Sequence, residues 1–108
     1  MTSLTLDDFK KTELRTAKIL DVQEISGADR LWRIEIDLGT EKKSVVAGIK
    51  KFYSKDELLG KSVVVVANLS PSVIRGVESQ GMLLAAKDND KLTLLTVDKE
   101  IPAGSLIG

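Results

Sequence analysis

The chain has 108 residues, with 16 basic and 16 acidic side chains and neither cysteine nor histidine. One domain of this length can build a modest core without a disulfide or a metal. Without thiolate or imidazole, cysteine nucleophiles, serine triads, thiolate zinc sites and HExxH metal sites are excluded, leaving carboxylates, lysines and hydroxyls for any chemistry.

Zero net charge argues against a uniformly basic nucleic-acid binder but permits a local basic face. No apolar run reaches the ~18 residues of a membrane span. The polar, acidic start M-T-S-L-T-L-D-D-F-K-K is unlike a signal peptide. A cytoplasmic protein is the expectation.

Residues 1–5 read as a lead and 6–108 as a single domain, with no repeat or linker between them. Thr5 is placed to cap a short helix over Leu6 to Lys11, with Asp7 and Asp8 at its positive end. Leu14 to Ile25 reads as a long bent strand with a bulge near Leu20, and S-G-A-D at 26–29 as a turn. In Leu31 to Leu38, Trp32, Ile34, Ile36 and Leu38 face one way and Arg33, Glu35 and Asp37 the other, the pattern of a half-buried strand. Gly39, Thr40 and Glu41 close a hairpin onto a strand over Ser44 to Ile49.

Ser54 and Glu57 have capping-box spacing around a helical turn over Lys55 to Leu59, stopped by Gly60. Val63 to Ala67, apolar on both faces, predicts a central strand. Asn68 to Gln80 breaks the pattern and reads either as an ordered crossover or as a binding surface. Met82 to Ala86 and Leu92 to Val97 predict the last two strands, turning at Asp88, Asn89 and Asp90. The tail, with Ile101, Leu106 and Ile107, needs an apolar partner in the domain or on another chain. About six short strands imply an all-β sandwich or barrel. A short helix between strands 3 and 4 fits the five-stranded oligonucleotide/oligosaccharide-binding (OB) layout.

The close carboxylate pairs Asp7/Asp8, Glu35/Asp37 and Asp88/Asp90 fall at a helix start, an exposed strand face and a turn. None has the split environments that acid–base chemistry requires, so no catalytic residue, metal site or cofactor is expected. Cations gather instead: Lys42, Lys43, Lys50, Lys51, Lys55 and Lys61 in one stretch, and Lys10, Lys11, Arg15 and Lys18 in another. On one face they would suit phosphate contacts. Aromatic residues are few, with Trp32 on the apolar side of its strand and Tyr53 the one candidate stacking platform. That favours shape and phosphate recognition over base stacking.

The segments D-F-K-K-T-E-L-R-T-A-K-I (8–19), I-D-L-G (36–39), V-V-A-G-I (45–49) and A-N-L-S-P-S-V-I-R-G-V-E-S-Q-G-M-L-L-A-A (67–86) resemble the tRNA-binding domain family. That family includes the C-terminal domain or beta subunit of methionyl-tRNA synthetases, a free-standing dimeric tRNA-binding protein, and endothelial monocyte-activating polypeptide II. The resemblance covers essentially the whole chain.

It implies an all-β OB-fold five-stranded Greek-key barrel with extra C-terminal elements. It also implies non-catalytic, structure-dependent tRNA binding, as an accessory subunit or trans-acting cofactor of methionyl-tRNA synthetase, and a homodimer joined through the tail. A related branch implies the alternative, a peptide-binding chaperone-like or protein-interaction module. Arg15, Asn68, Arg75, Ser79 and Met82 match family positions. With Lys50, Lys51 and Gln80 they form the expected RNA-binding set. Ser70 and Ser72 stand where members often carry cations, which implies weaker or more salt-sensitive binding; Gln80 in place of a frequent glutamate partly offsets this.

Overall fold

The computed structural model describes residues 2–108. Helix α1 (Leu6–Phe9) forms where expected, the Asp8 amide donating to the Thr5 hydroxyl at 3.1 Å. It buries none of its residues, so its cap holds it in place of packing. Strand β1 (Leu14–Glu24) is the longest element. Its pairing slips between Ile19 and Asp21, which leaves Leu20 as the extra residue of a bulge. Ala17 and Ile19 before the slip and Val22 after it all reach the core.

Strands β2 (Trp32–Asp37) and β3 (Lys42–Ala47) form the expected hairpin, closed by the Leu38 amide donating to the Glu41 carbonyl at 2.8 Å. The β2 alternation holds along its length, with Trp32, Ile34 and Ile36 buried. Helix α2 (Lys55–Leu58) carries a complete capping box between Ser54 and Glu57 and drives Leu58 fully into the core. Strand β4 (Ser62–Val66) is central, between β1 and the later strand at 82–83. Its second face is covered as predicted, Val64 and Val66 being 7% and 8% exposed.

The stretch from Asn68 to Gln80 departs from the sequence pattern, which predicts no strand there. It holds a hairpin, β5 (Ser72–Ile74) and β6 (Val77–Ser79), turning at Arg75 and Gly76 with φ of 52° and 78°. Two left-handed residues in a two-residue loop match the twist of paired strands. The Met82 to Ala86 strand is divided. Strand β7 (Met82–Leu83) pairs with β4, while β8 (Ala85–Asp88) turns at Asn89 and pairs with β9 (Lys91–Leu94), which ends three residues earlier than predicted. Finally, β10 (Leu106–Ile107) joins β1 at Leu14 and Arg15.

The main sheet runs β3-β2-β1-β4-β7, and the residues between β6 and β7 bring its two ends together. The Gln80 amide donates to the Ser44 carbonyl at 2.8 Å, and the Ser44 amide donates to Gln80 Oε1 at 2.9 Å. The result is a nearly closed OB-type barrel with a helix between its third and fourth strands. Inside lie Ile19, Ile34, Ile36, Val45, Leu58 and Val63, each 0–1% exposed. Each such side chain stabilises the fold by about 1.5–3 kcal/mol.

The tail is fastened by Thr16, which is buried. Its backbone amide donates to the Ser105 carbonyl and its carbonyl accepts from Gly104. Its hydroxyl donates to Pro102 and accepts from the Ser105 amide. Four hydrogen bonds thereby satisfy the amide, carbonyl and hydroxyl of one residue against a segment 86–89 residues away.

Candidate nucleic-acid interface

Strand pairing gives the barrel two ends. Lys18 opposes Asp37 and Glu24 opposes Trp32, so the start of β1 lies by the Leu38–Glu41 turn and its finish lies by the start of β2. The eight expected contact residues divide between these ends and the wall connecting them.

Arg15 and Asn68 belong to the first end, where both line a concavity with Gly39, Lys43 and Gly104. Both are engaged within the chain. Arg15 Nε donates to Glu13 at 2.5 Å and its Nη1 to the Gly104 carbonyl at 2.7 Å. Asn68 Oδ1 accepts the Glu13 amide at 2.8 Å, and its Nδ2 donates to the Lys11 carbonyl at 2.7 Å. Asn68 therefore pins the end of β4 to the segment between α1 and β1, and Arg15 holds the tail. Met82 opposes Val66 near the same end and is 49% exposed.

Ser79 and Gln80 lie in the wall. Ser79 is 4% exposed, its hydroxyl accepting the Val46 amide at 2.9 Å and donating to the Gly81 carbonyl at 3.1 Å. Gln80 is committed to Ser44 through both side chain and backbone. Their polar atoms close the barrel.

The second end holds Lys50, Lys51 and Arg75. Lys50 Nζ lies 4.9 Å from the centre of the Trp32 ring and donates to Glu24 Oε1 at 3.1 Å. Its charge is thus partly spent within the chain. Lys51 and Arg75 are exposed and make no ion pair among the described residues, whose three pairs are Lys11–Asp8, Arg15–Glu13 and Lys50–Glu24. Sequence patterning missed Arg30 at this end. Arg30 lines one concavity with Arg75, and its carbonyl accepts the Lys50 amide at 3.2 Å. The signal available was its position directly after the S-G-A-D turn.

The lysine run from 42 to 61 does not gather on one face. Lys43 donates to the Ala67 carbonyl at 2.9 Å at the first end, whereas Lys61 Nζ sits 5.8 Å from the Tyr53 ring centre. Nor is Tyr53 an open platform. It packs against the core, its carbonyl accepts Trp32 Nε1, and its hydroxyl accepts the Leu94 amide at 3.1 Å. Hydrogen bonding with Thr93 and with the Leu94 amide holds its phenol below the usual tyrosine value. Trp32 is buried, as its strand face predicted.

The architecture is that of a small OB barrel with Arg30, Lys51 and Arg75 exposed at one mouth and further exposed lysines, Lys42 by the opposite turn among them, distributed around it. Residues 14–106 match the family model described as "Putative tRNA binding domain", and the chain belongs to this tRNA-binding domain family. It is 53% identical over 105 residues to a methionine–tRNA ligase of Thermotoga maritima, covering 97% of this chain and 17% of that protein. It is 52% identical over 101 residues to the corresponding enzyme of Thermococcus onnurineus, covering 94% and 14%. The chain therefore spans about a sixth of the length of these relatives.

Among solved structures, a methionyl-tRNA synthetase-related protein from Pyrococcus horikoshii superposes with a TM-score of 0.94 at 33% identity, covering both chains fully. The chaperone CsaA of Bacillus anthracis superposes with a TM-score of 0.91 at 28% identity, covering 99% of this chain and 100% of the other.

Proposed function

We propose that this chain binds tRNA without catalysing a reaction, reading the folded RNA through its sugar-phosphate surface, and serves methionyl-tRNA synthetase as an accessory subunit or trans-acting cofactor. The family match over residues 14–106 carries the reading. The exposed Lys51 and Arg75 support it, since phosphate contacts supply the electrostatic part of RNA affinity. Of the expected contact set, Lys50, Lys51, Arg75 and Met82 present side chains outward or at the barrel mouth. Arg15 and Asn68 shape the end that carries Met82, and Ser79 and Gln80 close the wall that joins it to the end that carries the three cations. The cytoplasm is the compartment in which such a module meets tRNA.

A homodimer is part of this proposal. Leu4 of the lead, Leu6 and Phe9 of α1, and Ile101 and Leu106 of the tail are exposed, and Phe9 and Leu106 line one cavity. A second copy covers this apolar surface and doubles the number of basic mouths.

The test is a titration with total tRNA over a range of salt. A log–log slope of roughly −3 to −6 is expected from a handful of phosphate contacts. Affinity that stays flat from low to high salt overturns the reading. A second reading, peptide binding, draws support from the likeness to CsaA. An unfolded polypeptide that displaces bound tRNA places both ligands on one surface, whereas polypeptide binding without tRNA binding replaces the first reading by the second.

A further inference from the structure

Arg30 and Arg75 are 45 positions apart in the chain, yet both line one concavity of about 380 Å³ with Gly27, Ala28, Asp29 and Leu31. Each is exposed and neither joins an ion pair among the described residues. Asp29 is the one carboxylate on the rim and is also unpaired, so the concavity keeps a net positive charge.

The backbone adds an independent observation. Arg75 occupies the first left-handed position of the β5–β6 loop, with φ of 52°. Asparagine, aspartate and glycine are favoured there, and a long side chain is disfavoured. A strained residue with an unspent guanidinium is a pointer to function. The Gly27–Leu31 loop opposite also turns through a left-handed residue, Gly27 at φ 75°.

We infer that Arg30 and Arg75 together seat one phosphodiester of the bound RNA, each guanidinium donating to its non-bridging oxygens from an opposite rim. The inference rests on the tRNA-binding reading and adds to it a second arginine and a shared target. Guanidinium forks suit this work because they present paired donors to tetrahedral oxyanions. Asp29 opposes the phosphate and sets a limit on its affinity.

The test compares wild type with Arg30→Gln, Arg75→Asn and the double variant in tRNA titrations at several salt concentrations. Asparagine relieves the strain at position 75, so a loss of binding in that variant cannot be ascribed to a damaged hairpin. Each single variant is expected to lose about tenfold in affinity at low salt, the scale of one charge-assisted hydrogen-bonding group. The double variant is expected to lose little more, and its salt slope to become shallower by about 1, as befits one phosphate. Asp29→Asn is expected to tighten binding.

Losses that multiply in the double variant, with a slope change near 2, mean two separate phosphates and overturn the shared seat. Arg30→Gln binding like wild type overturns the seat and leaves the tRNA reading intact. A wild-type chain indifferent to tRNA overturns both. Inorganic phosphate is the remaining arm, followed through the backbone amide signals of Gly27 and Gly76. If phosphate shifts them and tRNA does not compete, the site holds a free anion and the RNA assignment fails.

Discussion

The hydroxyl of Ser79 accepts the backbone amide of Val46 at 2.9 Å, 33 residues away, and thereby takes the place of a strand partner along the free edge of β3. With Gln80 it completes the barrel wall. Ser79→Ala leaves the Val46 amide unpaired at a cost of about 1–3 kcal/mol. At roughly 4–8 °C per kcal/mol for a domain of this size, the loss is readable in a thermal melt. Affinity for tRNA measured well below the melting temperature should stay close to wild type, in contrast to Arg75→Asn, where affinity falls and the melt does not. A Ser79→Ala variant with an unchanged melt and weakened tRNA binding would assign the hydroxyl to RNA.

The tail is seated against the β2–β3 turn through Gly104, whose φ is 86°. A Cβ at this position would collide with the backbone carbonyl of Leu38, and the left-handed conformation alone costs a side chain about 1–2 kcal/mol. Gly104→Ala is therefore expected to lower the urea midpoint by more than the conformational cost accounts for. Gly60→Ala is the control: it is also left-handed, but nothing lies within 4 Å of its added carbon. Equal losses in the two variants would mean that the tail shifts freely to make room.

Leu106 is 68% exposed although it belongs to a strand paired with β1. If a second copy covers it, Leu106→Asp buries a carboxylate at the contact and dissociates the pair. Sedimentation should report twice the chain mass for wild type and a single mass for the variant at the same concentration. Two single masses would remove the homodimer from the proposal.

The α2 capping box gives a pH dependence with a definite sign. The Ser54 backbone amide, and then its hydroxyl, hold the Glu57 carboxyl below the ordinary glutamate range. A carboxyl with a lower value folded than unfolded stabilises the fold fully above its unfolded value, near ~4.3. That stability is lost as pH falls through the lower, folded value. Melts of wild type and Glu57→Ala should therefore differ at neutral pH and converge in acid below that value. A gap that persists there would locate the effect of Glu57 in packing.

Local patterning accounts for much of the fold. Thr5, Ser54 and Glu57 announce their helices because capping is read over three residues, and β2 announces itself by strict alternation. The β5–β6 hairpin stayed hidden because its loop is Arg75–Gly76 in place of the common Asn–Gly. Residues 84 and 95 were also unpredictable: Leu84 breaks the expected strand by donating to the Val64 carbonyl, and Leu95 leaves the β9 pairing to donate to Leu84.

The contact set shows the same division. The exposure of Arg75 and Met82 agrees with their place in a segment of weak core pattern. The occupation of Asn68, Ser79 and Gln80 depends on partners 33–57 residues distant, which no local window contains. Arg30 escaped notice because the opposite rim of its concavity is built by the hairpin that the sequence concealed.

Leu20, the spare residue of β1, has a further consequence. With it removed, Ala17, Ile19 and Val22 would fall into unbroken alternation, and the same three side chains could still be buried by a regular strand. Its presence therefore adds nothing to the inventory of the core. What it supplies is curvature, the local coil that lets a single ribbon border β4 along its first half and β2 along its second. A chain lacking that one residue would keep its hydrophobic pattern and lose the means of rolling its sheet into a cylinder.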